Sequence, residues 1–222
     1  MNHSIPNPWL NITINDTIAD CDKPLIYGLP SRKYSKIETR TLPEPFHGNP
    51  DASVYILSGN PLANAIDLNY VSSHAYQKEI KDELLHINTD FLWLRTPETI
   101  VDRNGNPYPG YKYWKDRTKQ LRAIKAMPDF FCVEACPYHT LHVNDFKSIG
   151  TLPSDQYTNE MIENAIDSGK LIILMRCKSY WLGRVPRLEH YQNVLELNSK
   201  QCAYLTPGNM SAAGWVKFIN SI

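Results

Sequence analysis

Short apolar runs that stop at turn residues alternate along this chain with stretches of helical spacing. Val54, Tyr55, Ile56 and Leu57 lead straight into Gly59-Asn60-Pro61, the pattern of a buried strand over 53–58 that empties into a turn. Ile80, Leu84 and Leu85 give residues 75–86 helical spacing. Asn104-Gly105-Asn106-Pro107 and Pro109-Gly110 then mark a long loop before a helix over 111–125. Phe130-Phe131-Cys132-Val133 repeats the strand pattern, is halted by Pro137, and precedes a loop and a helix over 159–168. Residues 171–175 form the third apolar run, 194–197 and 203–205 read as shorter strands, and 214–222 as an amphipathic closing helix. The first 45 residues mix Pro, Asn and Lys without periodicity and read as an irregular extension, packed on the domain and ending at Pro43-Glu44-Pro45. This alternation predicts an α/β domain with a parallel sheet and helices on both faces. Ligands of such sheets sit beyond the carboxyl ends of the strands. Here those ends are Gly59-Asn60-Pro61, residues 134–139, and Arg176-Cys177-Lys178.

Length and composition narrow the picture. A chain of 222 residues with 42% hydrophobic content can bury one core, so a single domain over 1–222 is expected. Lysine plus arginine equals aspartate plus glutamate at 23 each, so no global positive field draws the chain onto nucleic acid, and any such binding must use a local patch. No apolar run approaches the ~20 residues of a membrane helix, and the opening residues lack a basic-then-apolar signal, so a cytoplasmic protein is expected. Five scattered cysteines with no C-x-x-C pair disfavour structural disulfides, zinc and iron–sulfur clusters. Neither G-x-G-x-x-G nor a Walker-type phosphate loop occurs. No metal and no cofactor are expected.

Three segments that follow strands carry the candidate chemistry. Ser58-Gly59-Asn60-Pro61 resembles the G-M-N-P-G water-positioning turn of the single-strand-selective monofunctional branch of the uracil-DNA glycosylase superfamily, with Leu62 in place of the last glycine. Residues 131–137, Phe-Cys-Val-Glu-Ala-Cys-Pro, resemble its F-V-H-N-L-C-P strand end. Thr206-Pro207-Gly208-Asn209 with Gly214-Trp215 resembles its closing loop and helix. The chain also looks like a group of uncharacterised bacterial proteins of that superfamily that carry P-E-P-F-x-G-N-P before the first strand, matched here by residues 43–50. The resemblance implies a three-layer α/β/α sandwich around a central, mostly parallel four-stranded sheet, and a monomeric DNA glycosylase that hydrolyses the bond between sugar and a flipped base.

Such chemistry needs a held water, a reader of the base edge and a group that helps the base depart. The resemblance assigns Asn60 to the water, on a turn with Gly59 and Pro61 that also touches the base; the plainer reading is that this turn merely ends a strand. Glu134 stands where the branch has asparagine. An ionised carboxylate accepts from an exocyclic amine, and a protonated one also donates to a ring nitrogen, so the expected ligand is an amine-bearing or modified base rather than uracil. The alternative for Glu134 is a structural salt bridge. The family's closing histidine falls on Tyr204; His139 or Tyr204 is expected to assist departure, His139 by donating to the base while Tyr138 stacks on it. Tyr70, Tyr111, Tyr113, Trp114 and Trp181 are further stacking candidates. Arg176 and Lys178, in a late basic cluster with Lys170, Arg184, Arg187 and Lys200, are expected to contact phosphate, along with Thr206, Gly208 and Asn209. The bland alternatives are a solvated basic face and a cap for the last helix. Two other function classes remain: a module that binds an unusual base without cutting it, and a hydrolase of free nucleosides.

Overall fold

The computed structural model describes residues 4–61, 67–88, 90–95, 100–142, 145–199 and 201–222. The amino-terminal arm contributes two short helices, α1 (Lys23–Tyr27) and α2 (Ser31–Tyr34), and a two-residue strand β1 (Ile37–Glu38). Trp9, Ile12, Ile18 and Ile26 of this arm are buried in the same apolar cluster that reaches Phe218 near the other end of the chain. Asp22 ties the arm down: its carboxylate accepts from the Tyr138 hydroxyl at 2.7 Å and from both the backbone N–H and hydroxyl of Ser154.

The main sheet has five strands in the order β2 (Phe46–Gly48), β4 (Phe131–Val133), β3 (Val54–Leu57), β6 (Leu171–Leu174), β7 (Val194–Glu196). Four of them are parallel: β3, β4 and β6 are the three apolar runs of the sequence, and β7 is the shorter run at 194–197. The fifth, β2, pairs antiparallel with β4 at the edge. Every residue of β3 and β6 is buried, so both faces of the central strands are covered, which is why these strands read as continuous apolar runs rather than as alternation. A second, two-stranded antiparallel pair joins β1 to β5 (His139–Thr140).

Helices fill the crossovers. Between β3 and β4 run α3 (His74–Leu84), α4 (Pro109–Arg117) and α5 (Lys119–Ile124). The expected single helix over 111–125 breaks at Thr118, whose hydroxyl donates to the Trp114 carbonyl at 2.7 Å, a back-bond that disturbs the helical ladder. The helix α6 (Asp155–Asp167) precedes β6, α7 (Lys178–Arg184) follows it, and α8 (Ala212–Ser221) ends the chain. Residues 203–205 do not join the sheet: the Leu205 N–H bonds to the carbonyl of Arg117 in α4 instead of to a strand. No helix among the described residues is long and apolar enough to cross a membrane.

From β3 the chain crosses to β4 on one side and, later, to β6 on the other. That reversal is the switch point at which open α/β sheets leave a crevice beyond the strand ends.

Candidate functional site

The crevice holds a cavity of about 400 Å³. Its floor comes from the strand ends: Ser58, Gly59, Asn60 and Pro61 after β3, Glu134 after β4, Arg176 after β6, with His47 from the edge strand, Glu44 just before it and His139 from β5. Its wall is aromatic, built by Trp93, Tyr108, Tyr113 and Trp114. Trp93 stacks on Tyr108 with ring centres 4.8 Å apart and planes 17° apart. Gly110 lets the start of α4 lie on the Trp93 indole; a Cβ there would come within 2.9 Å of the ring. Arg117 covers the Tyr113 ring at 3.7 Å, a cation–π contact at the edge of the same wall.

The Asn60 turn is pinned from β5. Asn60 Nδ2 donates to the Pro61 carbonyl at 2.8 Å and to Thr140 Oγ1 at 2.7 Å. The Thr140 hydroxyl gives its own hydrogen to the His142 carbonyl at 2.9 Å, so it must accept from Asn60, which sets the orientation of the amide. Both amide hydrogens are therefore engaged. Oδ1, buried at the cavity lining, is left as an acceptor with no partner among the described residues.

Glu134 is positioned by the pairing of β4 with the edge strand, where its N–H donates to the Pro45 carbonyl at 2.9 Å. One carboxyl oxygen, Oε1, faces the Cys132 thiol at 3.7 Å; the other, Oε2, has no partner among the described residues. Burial pushes this carboxyl up to about 7, against the opposing pull of His47, Ser58 and Arg176. Near neutral pH it exists in both its donating and accepting forms. The alternative reading, a structural salt bridge, is not found among the described residues.

Beside it lies a buried group whose function the sequence did not disclose. The Glu44 carboxylate bridges two imidazoles, accepting from His139 Nε2 through Oε1 and facing His47 Nε2 through Oε2, each at 3.1 Å. The Tyr108 hydroxyl adds a third contact at 3.3 Å. Burial works against ionisation of Glu44, but its two histidine partners prevail and hold it at about 2. The Trp93 indole N–H also approaches His47 Nε2, at 3.3 Å. That nitrogen can serve only one of them, and an ionised Glu44 requires it to carry a hydrogen. Burial pulls His47 down, yet Glu44 outweighs it, with Glu83 and Glu134 assisting, so the ring titrates above the usual imidazole range.

Of the residues expected from sequence, Asn60, Gly59, Pro61, Glu134, His139 and Arg176 converge on the cavity, with Tyr113 and Trp114 in its wall. Others do not. Tyr138 is not in the lining; its hydroxyl is bonded to Asp22 and to the Ala19 N–H, where it anchors the arm. Tyr70 lies against a neighbouring open hollow and donates to the carbonyls of Asn106 and Pro107. Trp181 is core, its indole N–H fixing the Ser58 carbonyl at 2.8 Å, and Tyr111 packs edge-on against Trp93. Tyr204 is exposed outside the cavity, 5.1 Å from the Arg117 guanidinium.

The late basic and polar groups mostly serve the protein itself. Lys178 pairs with Glu196, Arg187 with Glu163 and Asp167, and Lys170 donates to the Pro50 carbonyl. Arg184 is buried against Asp155 at 3.2 Å and also donates to the Ala135 carbonyl. The Asn209 amide closes its own loop, accepting from the Ser199 N–H and donating to the carbonyls of Ser199, Cys202 and Tyr204. Neither Asn209 nor Thr206 caps the last helix; Ser211 does, accepting from Gly214 N–H. Thr206 is half-buried and Gly208 exposed, both outside the cavity lining. Leu62 and Lys200 lie outside the described residues.

Glu44, His47, Trp93, Tyr108 and Arg117 are the lining residues that the sequence reading passed over. A signal existed for the first two, since both fall within the Pro-Glu-Pro-Phe-x-Gly-Asn-Pro pattern. No family model, curated protein or solved structure matches the chain.

Proposed function

We propose that this protein hydrolyses the N-glycosidic bond of a damaged or modified base everted from DNA, as the resemblance to the uracil-DNA glycosylase superfamily implies. One observation carries the reading: Asn60 and Glu134, 74 positions apart by their numbering, line one cavity walled by aromatic rings, and each has a buried oxygen without a partner among the described residues. Its volume falls within the ~300–1,000 Å³ usual for small-ligand sites, and aromatic walls suit a planar ring.

In this reading Asn60 Oδ1 accepts a hydrogen from the attacking water, which its fixed amide orients toward the sugar. Water adds to C1′ while the C1′–N bond breaks, the bonding electrons leave with the base, and the proton that the water gives up is released to solvent, from which Glu134 is reprotonated after turnover. Glu134 reads the base edge and, when protonated, supplies the hydrogen that neutralises it. His139, held by Glu44, assists departure from the cavity floor in place of Tyr204, which stands outside. Arg176 and Arg117 at the lining are the groups that would meet the flanking phosphates.

The test is a panel of oligonucleotides carrying uracil, hydroxymethylated or glucosylated cytosine, or oxidised or deaminated purines, each incubated with the protein and then heated in alkali. At least one strand is expected to break at the modified position. If none does, the enzymatic reading fails.

A second reading, hydrolysis or binding of a free nucleoside, is favoured by the internal engagement of Lys178, Arg184, Arg187 and Asn209, which leaves few groups for a phosphate backbone. Ionic strength separates the two, because DNA affinity falls steeply with salt and nucleoside affinity does not.

A further inference from the structure

His47 was not among the residues expected to recognise a ligand, yet it stands on the sheet beside the one that was. In the antiparallel pairing of β2 with β4, His47 lies directly opposite Cys132, and Glu134 is two residues further along. Alternation along a strand therefore puts His47, Cys132 and Glu134 on one face. Both His47 and Glu134 line the cavity, and both are more than nine-tenths buried. Each is held by one atom and leaves another over. His47 is fixed through Nε2 by Glu44, and its Nδ1 has no partner among the described residues; Glu134 meets Cys132 through Oε1, and its Oε2 has none. A buried polar atom without a partner is costly, so two such atoms on residues that line one cavity call for a ligand that satisfies both.

Resting on the reading that the cavity receives a base, we infer that His47 and Glu134 together read its edge, selecting a ring that presents a hydrogen-bond donor beside an acceptor. The ionised Glu44 keeps a hydrogen on His47 Nε2, so Nδ1 accepts when the ring is neutral and donates when it is protonated. Glu134 behaves in the complementary way. With one mobile hydrogen between them, the pair offers either donor plus acceptor or acceptor plus donor. Both arrangements match an aminopyrimidine or lactam edge, and neither matches an edge made of two acceptors or one blocked by a methyl group. The upward displacement of both groups by their surroundings keeps that hydrogen available near neutral pH.

The experiment titrates the intact protein with free bases, following the fluorescence of the lining tryptophans and, independently, heat. The probes are cytosine and uracil, whose edges are intact, and N4,N4-dimethylcytosine and 3-methyluracil, whose edges are not. The intact bases are expected to bind at least tenfold tighter, about 1.4 kcal/mol, than their methylated counterparts. His47→Gln, checked for folding by circular dichroism, should shrink that ratio toward one. If the variant does not fold, the wild-type series decides alone. Equal binding of intact and methylated bases, or no binding of any, overturns the inference, as does full discrimination in folded His47→Gln. Discrimination without excision from any oligonucleotide sinks the glycosylase reading and leaves this one standing; excision without discrimination does the reverse.

Discussion

At the ends of β3 and β4, Asn60 and Glu134 are held by some atoms and leave others without a partner among the described residues, whereas Lys178, Arg184, Arg187 and Asn209 are engaged by other parts of the protein. Asn60 has both amide hydrogens fixed and Oδ1 left over; Glu134 has Oε1 facing a thiol and Oε2 left over. By contrast the Asn209 amide makes four hydrogen bonds within its own loop, and Lys178 and Arg187 meet carboxylates. The sequence alone marked residues in both regions as candidates. What separates them is which atoms remain after the backbone and its neighbours have been satisfied, and that depends on pairing register and loop closure.

The sharpest way to break the comparison is to remove one residue from each side. Asn60→Ala should lower excision of the cleaved oligonucleotide by roughly 10²–10³-fold, the loss expected when a group that positions a reactant is deleted, at a stability cost of only about 1–2 kcal/mol for the two hydrogen bonds its amide donates. Asn209→Ala should do the opposite. Deleting an amide that ties four backbone groups together should cost about 2–4 kcal/mol in chemical denaturation while leaving the rate, measured well below melting, within about threefold. If Asn209→Ala proved the more damaging to the rate, the division of the molecule into reactive and structural regions would be wrong.

Acid–base linkage tests Glu134 without any substrate. Its carboxyl titrates at about 7 in the folded protein and near ~4.3 when unfolded. Between those values the folded state binds more protons, so this group stabilises the protein at low pH and that contribution is lost as pH rises through 7. Glu134→Gln removes the titration. Relative to wild type, the variant should gain up to about 3 kcal/mol of unfolding free energy between pH 4 and pH 8. Taking the difference between the two pH values cancels any constant effect of the amide and the parallel titration of Glu83 and Asp155. A pH-independent difference would mean that the carboxyl is not held in the environment described.

Much of the scaffold was legible because buried parallel strands write themselves as four-residue apolar runs closed by turn residues, as in Val54–Leu57 and Leu171–Leu174. The edge strand was not, since Phe46–Gly48 is short, lies between prolines and carries a histidine, so no periodicity marks it. Missing that strand hid Glu44 and His47, whose roles arise only when the strand pairs with β4. The aromatic wall was half legible. Nothing in the sequence distinguishes Trp93 and Tyr108, which line the cavity, from Trp181 and Tyr70, which do not; the choice is made by Gly110 admitting α4 onto the indole and by Trp181 reaching the Ser58 carbonyl. The helix α7 was missed because its basic residues resembled a phosphate-binding rim.

The smallest expected effect draws the finest line, between two neighbours that the sequence treated alike. Arg176 lines the cavity, with Nη2 donating to the Gln201 carbonyl and Nε without a partner among the described residues, while Lys178, two residues on, is half-exposed and paired with Glu196 on β7. Each phosphate contact contributes about 0.9 to the slope of log affinity against log salt for duplex DNA and about 0.7 for single strands. Arg176→Ala should therefore reduce that slope by close to one contact when binding to a modified oligonucleotide is followed by anisotropy across a salt series. Lys178→Ala should leave the slope unchanged and shift stability by no more than about 1 kcal/mol, as expected for a surface ion pair. If instead the lysine variant lost a contact's worth of slope, the Glu196 pair would have to open on binding, and the basic rim would extend past the cavity onto α7.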